Sequence, residues 1–139
     1  VSTVGAKTLV TALEKIEAGE LTPQKQDGTQ ATMAPPLTKD MARFDFTQDA
    51  AHIHNWVRGM NPWPVAWFEQ DGKRIKVLEC RLAENAQNAT PGTVLALKPL
   101  TIAAANGAVA LLTVTPEGCK PMAGTAWAAG RRLKAGDSL

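Results

Sequence analysis

Several groups that membrane insertion, disulfide bonding or metal binding rely on are scarce or missing in the sequence. Its two cysteines, Cys80 and Cys119, lack the short spacing of a metal or redox motif, so we expect two free thiols in a reducing compartment. No apolar run reaches the roughly 18–20 residues that span a bilayer. No basic-then-apolar segment opens the chain as in a secretory signal. These absences lead us to expect a cytoplasmic protein that does not enter membranes.

Recognisable catalytic motifs are missing as well. The chain contains no Gly-rich phosphate loop, no His-Glu-x-x-His pair and no nucleophile elbow. His52 and His54 lie in a predicted helix, where residues two apart point away from each other and do not meet at one metal ion. Because no third ligand clusters near them, we expect neither a metal site nor a catalytic residue in this chain.

The composition nevertheless supports a folded core. The chain has 139 residues, of which 45% are hydrophobic, and it suits one compact domain with room for a small second piece. Its net charge of +2 is unevenly spread, since residues 85–139 hold five Lys or Arg and only two Asp or Glu. A positive C-terminal section of this kind indicates an anionic partner.

The first part of the chain predicts two helices separated by a connector. Between Gly5 and Ala18 the apolar residues recur at helical spacing, and Gly19 follows as the expected stop. Residues 20–46 show no period and contain three prolines, which is typical of an extended connector. A second amphipathic helix is predicted at about 48–60.

The segment Asn-Pro-Trp-Pro at residues 61–64 forces this second helix to end. Each proline fixes its own φ, removes a donor and pushes the residue before it toward extended backbone. A tryptophan at such a stop is more often core than ligand platform, because its ring carries a large buried area. We therefore expect Trp63 to plug the core at a structural corner.

Short strands with turn signals between them follow. Asp71-Gly72 and Asn106-Gly107 predict tight hairpin turns. The apolar residues change face between Val77 and Leu78, which predicts a bulge or a sharp bend. This pattern is typical of an all-β barrel or sandwich. The expected strands lie near 65–70, 75–82, 93–97, 100–105, 108–115 and 119–122, before a short helix around 123–130.

Four segments stand out, in order, along nearly the whole chain. They are Ala-Pro-Pro-Leu-Thr-Lys-Asp-Met-Ala-Arg-Phe-Asp-Phe at 34–46, Asn-Pro-Trp-Pro at 61–64, Ala-Thr-Pro-Gly-Thr-Val at 89–94 and Gly-Arg-Arg-Leu-Lys-x-Gly-Asp at 130–137. Their residues and their order resemble the C-terminal domain of the methionyl-tRNA formyltransferase family.

The resemblance implies a domain layout and narrows the fold. Residues 1–19 correspond to the last helix of a catalytic domain missing from this chain, 20–46 to an extended interdomain linker, and 47–139 to the formyltransferase C-terminal domain. The implied fold is mainly β: a small OB-like Greek-key barrel preceded by a helix, with the N-terminal helix left as an orphan.

The resemblance also implies a function. The parent enzyme would transfer a formyl group from 10-formyltetrahydrofolate to the amino group of initiator Met-tRNA in translation initiation. The Asn, His and Asp that carry this reaction belong to the family's N-terminal domain, so this chain alone is expected to hold no cofactor and to be non-catalytic. Its expected partners are initiator Met-tRNA and the missing catalytic domain, in a parent enzyme expected to be a monomer.

Basic side chains are the expected contacts to tRNA, because phosphates attract Lys and Arg whatever the nucleotide sequence. In the family the interdomain stretch lies beside the bound tRNA. Aromatic rings are few, so we expect grip on a duplex backbone rather than base stacking. The RNA-binding candidates are Lys39, Arg43, Arg74, Lys76, Arg131, Arg132 and Lys134.

Two other interpretations stay open. The chain is alternatively the C-terminal domain of another formyltransferase, of the formyltetrahydrofolate or sugar-nucleotide type, or a stand-alone RNA-binding barrel. The Leu-Thr-Lys-Asp segment at 37–40 and the Gly-Arg-Arg-Leu segment at 130–133 favour the tRNA enzyme.

Overall fold

The computed structural model describes residues 2–85 and 88–139. The chain divides into two compact units, Val1–Pro35 and Pro36–Leu139. None of the helices within the described residues combines the length and apolar character needed to cross a membrane.

The first unit is built around one amphipathic helix, α1, at Ser2–Glu17. It confirms the helix predicted from the apolar spacing, and Gly19 follows it with a φ of +72°, the left-handed stop that glycine tolerates. No residue of α1 is buried. Its apolar stripe is therefore open to solvent at Val4, Leu9, Val10, Leu13 and Ile16.

Within its described residues, the second unit holds a helix, six strands and a closing short helix, as the sequence pattern predicted. The helix α2 spans Ala50–Gly59 and the short helix α3 spans Gly124–Gly130. The strands are β1 Trp67–Gln70, β2 Lys73–Ala83, β3 Val94–Leu97, β4 Leu100–Ala103, β5 Ala108–Pro116 and β6 Met122–Ala123. Both predicted hairpin turns form: Asp71-Gly72 joins β1 to β2, and Asn106-Gly107 joins β4 to β5.

All six strands pair antiparallel in one sheet, in the order β1-β2-β5-β4-β3, with β6 on β5. The mainly-β class is thus confirmed. Among the described residues the ladders form a path with β1 and β3 at its ends, and isolated bridges border these ends, Arg43 to Trp67 and Thr93 to Ser138. Closure into an OB-like barrel stays a prediction.

The bend in the long strand also forms where the face change predicted it. The β2–β5 register shifts between Val77 and Glu79 and again between Glu79 and Cys80. Leu78 is the extra residue of β2 at the first shift. The bulge lets Val77 and Cys80 both face the core, although they lie at opposite parity along the strand.

One hydrophobic core unites the helices and the sheet of this unit. Burying these side chains removes apolar surface from water, the main stabilising contribution to the fold. Its fully buried large side chains include Ile53 of α2, Phe68 of β1, Val77 of β2, Leu100 of β4 and Leu111 of β5.

The segment before α2, which we call the strap (residues 36–46), belongs to this core. Ala42, Phe44 and Phe46 are buried, and the backbone N–H of Phe44 donates to the Trp67 carbonyl at 2.9 Å. The compact unit consequently begins at Pro36, whereas the sequence pattern predicted an extended linker up to residue 46. Phe44 and Phe46 pack edge-on against each other, Phe46 packs edge-on against Phe68 of β1, and these contacts hold the strap on the sheet.

The expectation for Trp63 is wrong. The corner at 61–66 turns the chain from α2 into β1 with Pro64 and Ala66 buried, but the Trp63 side chain is 56% exposed. The plug is Trp67, four residues on, with 6% exposure. The corner therefore presents Trp63 on the outside of the turn and Trp67 on the inside.

Replacing Trp63 with alanine is expected to change the free energy of unfolding by less than about 1 kcal/mol, because an exposed ring has little packing to lose. Trp127→Ala is the matched comparison, since Trp127 is 5% exposed and its ring packs edge-on against Phe68. It should cost about 3–5 kcal/mol. Urea unfolding of both variants measures this, and equal losses would contradict the placement of Trp63.

Gly124 is explained by close approach rather than by helix propensity. It is buried at the start of α3, where a Cβ would overlap the carbonyl oxygen of Leu111 and stand 3.0 Å from its carbonyl carbon. Only a residue without a side chain lets α3 begin this close to β5. Glycine has a low helix propensity, and here it is the residue that permits α3 to dock on β5.

Gly124→Ala is expected to destabilise the protein by about 1–3 kcal/mol, the usual cost of overpacking against rigid backbone. Gly130→Ala, at the other end of α3, is the control, because a Cβ there meets nothing within 4 Å. It should be neutral or slightly stabilising. Denaturant midpoints at unchanged slope report the comparison, and a neutral Gly124→Ala would refute the close approach.

Candidate nucleic-acid interface

The β1–β2 hairpin puts basic side chains on one of its faces. Trp67 pairs with Lys76 and Glu69 with Arg74, so these four side chains share a face. The alternate pair, Phe68 and Ile75, points the other way into the core. The alternation of β2 therefore anchors the strand with one set of residues and presents cations with the other.

Trp67 gathers further cations onto this face. Its indole N–H donates to the carbonyl oxygen of Lys39 at 2.9 Å, which fixes the strap before α2. The guanidinium carbon of Arg74 lies 4.6 Å from the ring centroid, and that of Arg43 lies 5.7 Å away. Both distances fall within the range of cation–π attraction. We call Lys39, Arg43, Arg74 and Lys76 the basic face.

Each of the two arginines faces one carboxylate in a weak, solvent-exposed ion pair. Arg43 lies 3.6 Å from Glu69, and Arg74 lies 3.9 Å from Asp40. Every one of these side chains is roughly half exposed or more, and such pairs contribute only about 0–1 kcal/mol. A phosphate can therefore replace either carboxylate at small cost.

Two adjoining clefts open on the basic face. The first, of about 490 Å³, is lined by Lys39, Arg74, Lys76, both tryptophans of the corner, and residues 115–119. We call it the Trp63 cleft. The second lies beside it between Arg43, Arg74 and Glu69. Trp67, Arg74 and Glu117 line both, so the two clefts are continuous.

The three C-terminal candidates are not among the residues that line the two clefts of the basic face. Arg131 pairs with Asp71 at the hairpin turn and lines a different depression, with Lys73 and Trp127. Arg132 follows α3 with a φ of +55°. The backbone N–H of Lys134 donates to Asp137 at 2.7 Å. The structure thus brings together four of the seven predicted residues, and an RNA role for any of them stays a prediction.

Several residues of the Trp63 cleft were missed from the sequence. Thr115 lines it, and its hydroxyl is buried without a hydrogen-bond partner among the described residues. Glu117 contributes a carboxylate to the rim. Trp63 was singled out from the sequence but as a core residue, because the prolines around it fix the backbone and do not say on which side the ring lies. The others come from the distant β5–β6 connection.

The two histidines take no part in this face. His52 stacks on Trp56 with ring centroids 5.2 Å apart and an interplanar angle of 21°. Within residues 2–85 and 88–139 no three His, Cys, Asp or Glu side chains lie together as a metal site. The Lys and Arg side chains of the basic face can bind a ligand through electrostatic attraction and hydrogen bonds.

The two cysteines are free thiols in contrasting environments. Cys80 is buried on β2, and burial together with the neighbouring Glu79 carboxylate raises its pKa to about 11. Cys119 is exposed and lines the Trp63 cleft. Since the thiolate is the reactive form, accessibility and pKa both direct alkylation to Cys119.

Iodoacetamide at about pH 8 is expected to modify Cys119 quickly and leave Cys80 unmodified until the protein unfolds. Because the folded pKa of Cys80 lies above the ordinary value of 9.0, its neutral thiol favours the folded state. That contribution is complete below pH 9 and is lost as the pH rises toward 11. Peptide mapping after labelling checks the order, and equal modification in native buffer would contradict it.

Sequence comparison places the second unit in a known family. Residues 36–132 match the family model described as "Formyl transferase, C-terminal domain". The match begins where the compact unit begins, at Pro36. It includes the strap, both helices of this unit and all six strands.

Curated relatives extend the similarity to nearly the whole chain. A methionyl-tRNA formyltransferase of Solibacter usitatus is 43% identical over 136 residues, which cover 98% of this chain and 44% of that protein. The methionyl-tRNA formyltransferase of Heliobacterium modesticaldum is 41% identical, over 96% of this chain and 45% of that protein. The chain therefore spans less than half the length of these relatives.

Solved structures agree on the fold. A crystal structure of HypX from Aquifex aeolicus in complex with tetrahydrofolic acid aligns with a TM-score of 0.64 and 21% identity, over 96% of this chain and 24% of HypX. At this identity the likeness concerns the fold alone. Because the family model covers most of the chain and spans the whole strand path, the chain belongs to the formyl transferase C-terminal domain family.

Proposed function

We propose that residues 36–139 bind tRNA as the C-terminal domain of a methionyl-tRNA formyltransferase. The observation that carries the proposal is the basic face, where Trp67 holds Lys39, Arg43 and Arg74 together and pairs with Lys76. The names of the curated relatives supply the chemical identity of the anion. Grouped cations of this kind suit a phosphate backbone.

The basic face would position tRNA rather than react with it. Lys and Arg contacts to phosphates fix register and orientation and carry no base information. Holding the RNA in place turns the later reaction into one between oriented groups, a large part of catalytic rate enhancement. The face is built on a strand and a strap pinned to the core, so the contacts are preorganised.

Formyl transfer itself is assigned to another part of a longer protein. The reaction needs a base for the ammonium proton and donors for the tetrahedral oxyanion. The two histidines of this chain lie on α2, away from both clefts, with His52 stacked on Trp56. We therefore assign no step of the formyl transfer from 10-formyltetrahydrofolate to residues 36–139.

The exposed stripe of α1 supports the remainder of the proposal. Leu9, Val10, Leu13 and Ile16 are each more than half exposed, and the curated relatives are over twice as long as this chain. An amphipathic helix buries such a stripe when it has a neighbour. We assign α1 as the last helix of a catalytic domain, joined through 20–35 to the tRNA-binding unit, in a monomeric cytoplasmic enzyme.

Titration of labelled initiator tRNA at two salt concentrations tests the proposal. The wild-type chain is expected to bind more weakly at higher salt, because phosphate contacts release counterions. The salt slope is the slope of the logarithm of the binding constant against the logarithm of the salt concentration. The double variant Arg74→Ala/Lys76→Ala should lower the magnitude of this slope by about one per lost contact and weaken binding of every tRNA alike.

Arg81→Ala/Lys98→Ala is the matched control, because it removes the same charge from exposed positions outside both clefts. Its salt slope should equal that of the wild type. Salt-independent binding, or equal slopes in the two double variants, would refute the basic face. Absence of tRNA binding by the wild type would instead favour the formyltransferases that act on small substrates.

A further inference from the structure

Trp63 is an exposed aromatic ring on a rigid support. Its side chain is 56% exposed, whereas the other tryptophan and phenylalanine rings of the described residues are buried or half-buried. Pro62 and Pro64 flank it and fix the backbone on both sides. An apolar surface of this size is normally covered, so its exposure on a fixed turn points to a contact with something outside the chain.

Hydrogen bonds pin the corner at both of its ends. The amide of Asn61 donates to the Leu78 carbonyl at 3.1 Å, and the backbone N–H of Val65 donates to the Met60 carbonyl at 2.8 Å. Val65 itself has a φ of +70°, a left-handed conformation that is unfavourable for a β-branched residue. Strain of this kind persists only where the surrounding structure enforces it, and it clusters at binding sites.

The Trp63 ring lines a cleft whose other walls combine apolar side chains of the corner with basic and polar ones. Lys39, Arg74 and Lys76 contribute three cations, and Glu117 contributes the opposing carboxylate. The wall also contains Thr115, whose hydroxyl is buried and lacks a partner among the described residues. The volume of about 490 Å³ lies within the range of small-molecule sites and suits one nucleotide.

We propose that the Trp63 cleft holds one unpaired nucleotide of the RNA, with its base stacked on the Trp63 ring and its flanking phosphates on Lys39 and Lys76. The inference rests on the proposed tRNA function and adds a base contact to the phosphate contacts. Every base offers a π-face, so the stacking is tolerant of base identity.

Charge and shape favour a nucleotide over a protein segment in this cleft. Three cations against one carboxylate attract a phosphodiester, and a flat ring beside them matches a base. The Trp67 ring is not available for the same role, because it is 6% exposed and Arg74 covers it. The platform and the phosphate contacts are thus separate residues, which makes them separable by substitution.

Binding of a short oligoadenylate, an abasic oligonucleotide of equal length and intact tRNA tests the proposal on the full chain. Trp63→Ala should weaken oligoadenylate binding at least about fivefold, the lower end of stacking losses, and leave the salt slope unchanged because no charge is removed. Trp63→Phe should retain most of the affinity. Leu82→Ala, which alters another exposed apolar residue outside the cleft, should have no effect.

The Trp63→Ala variant should bind the abasic oligonucleotide as the wild type does, because that ligand has no base to stack. Oligoadenylate should also protect Cys119, at the rim of the cleft, from alkylation, with buried Cys80 as the internal reference. Both results report the position of the ligand and not merely its affinity.

Failure of this inference and failure of the tRNA function give different results. If Trp63→Ala changes oligoadenylate affinity by less than twofold while tRNA binding stays salt-dependent, the stacking site is refuted and the basic face stands. The stacking site is likewise refuted if Trp63→Ala weakens binding of the abasic and the adenine-bearing oligonucleotide by the same factor. If Trp63→Ala leaves the affinity for every RNA unchanged, the exposed ring is assigned to a contact with a protein partner. If the wild type binds neither RNA, the proposed function fails first.

Discussion

Burial of Trp67 is the constraint on which both the core and the basic face depend. Its ring is 6% exposed in the hydrophobic cluster, and its only polar side-chain atom donates to the Lys39 carbonyl at 2.9 Å. A buried indole N–H without a partner is costly, so the strap that carries Lys39 and Arg43 must lie against β1. Arg74 then covers the outer edge of the ring. One side chain thereby joins hydrophobic packing to the placement of three cations.

Local patterns predicted most of the elements of the second unit. Asp71-Gly72 and Asn106-Gly107 fixed two hairpins through the left-handed backbone that their glycines allow, and the face change at Leu78 marked the bulge in β2. Each of these signals acts over a few residues and depends on covalent geometry or on the alternation of side chains. Such constraints are readable from the sequence, because no distant contact is needed to decide them.

Trp63 and Trp67 show where sequence reasoning stops. Both are tryptophans within the same corner, and burial area alone favours the core for either one. Only the direction in which the chain leaves the turn decides which ring enters, and that depends on the Met60 carbonyl holding Val65 in a left-handed conformation. The strap presents the same difficulty, since Phe44 and Phe46 read as connector until the sheet is there to receive them.

Charge counting along the chain gave no indication of the cation cluster that assembles on the strap and the β1–β2 hairpin. The C-terminal section carries the excess of positive residues, but Arg131 is held by Asp71 at the hairpin turn. The four cations that do assemble come from two segments that are distant in sequence and whose local charge is nearly balanced. The register of β1 on β2 and the bond from Trp67 to Lys39 bring them together. Net charge per segment carries no information about such pairings.

The carboxylates among these cations have a consistent physical role. Asp40 and Glu69 lie 3.9 and 3.6 Å from the arginines they face, at exposed positions where an ion pair contributes little to stability. Such weak pairs leave the two guanidinium groups available to another anion. A phosphate that displaces them meets guanidinium groups already in place over Trp67. Weak ion pairing and strong packing therefore have complementary effects. The weak pairs allow another anion to replace the carboxylates, and the packing of Trp67 beneath fixes the position of the cations.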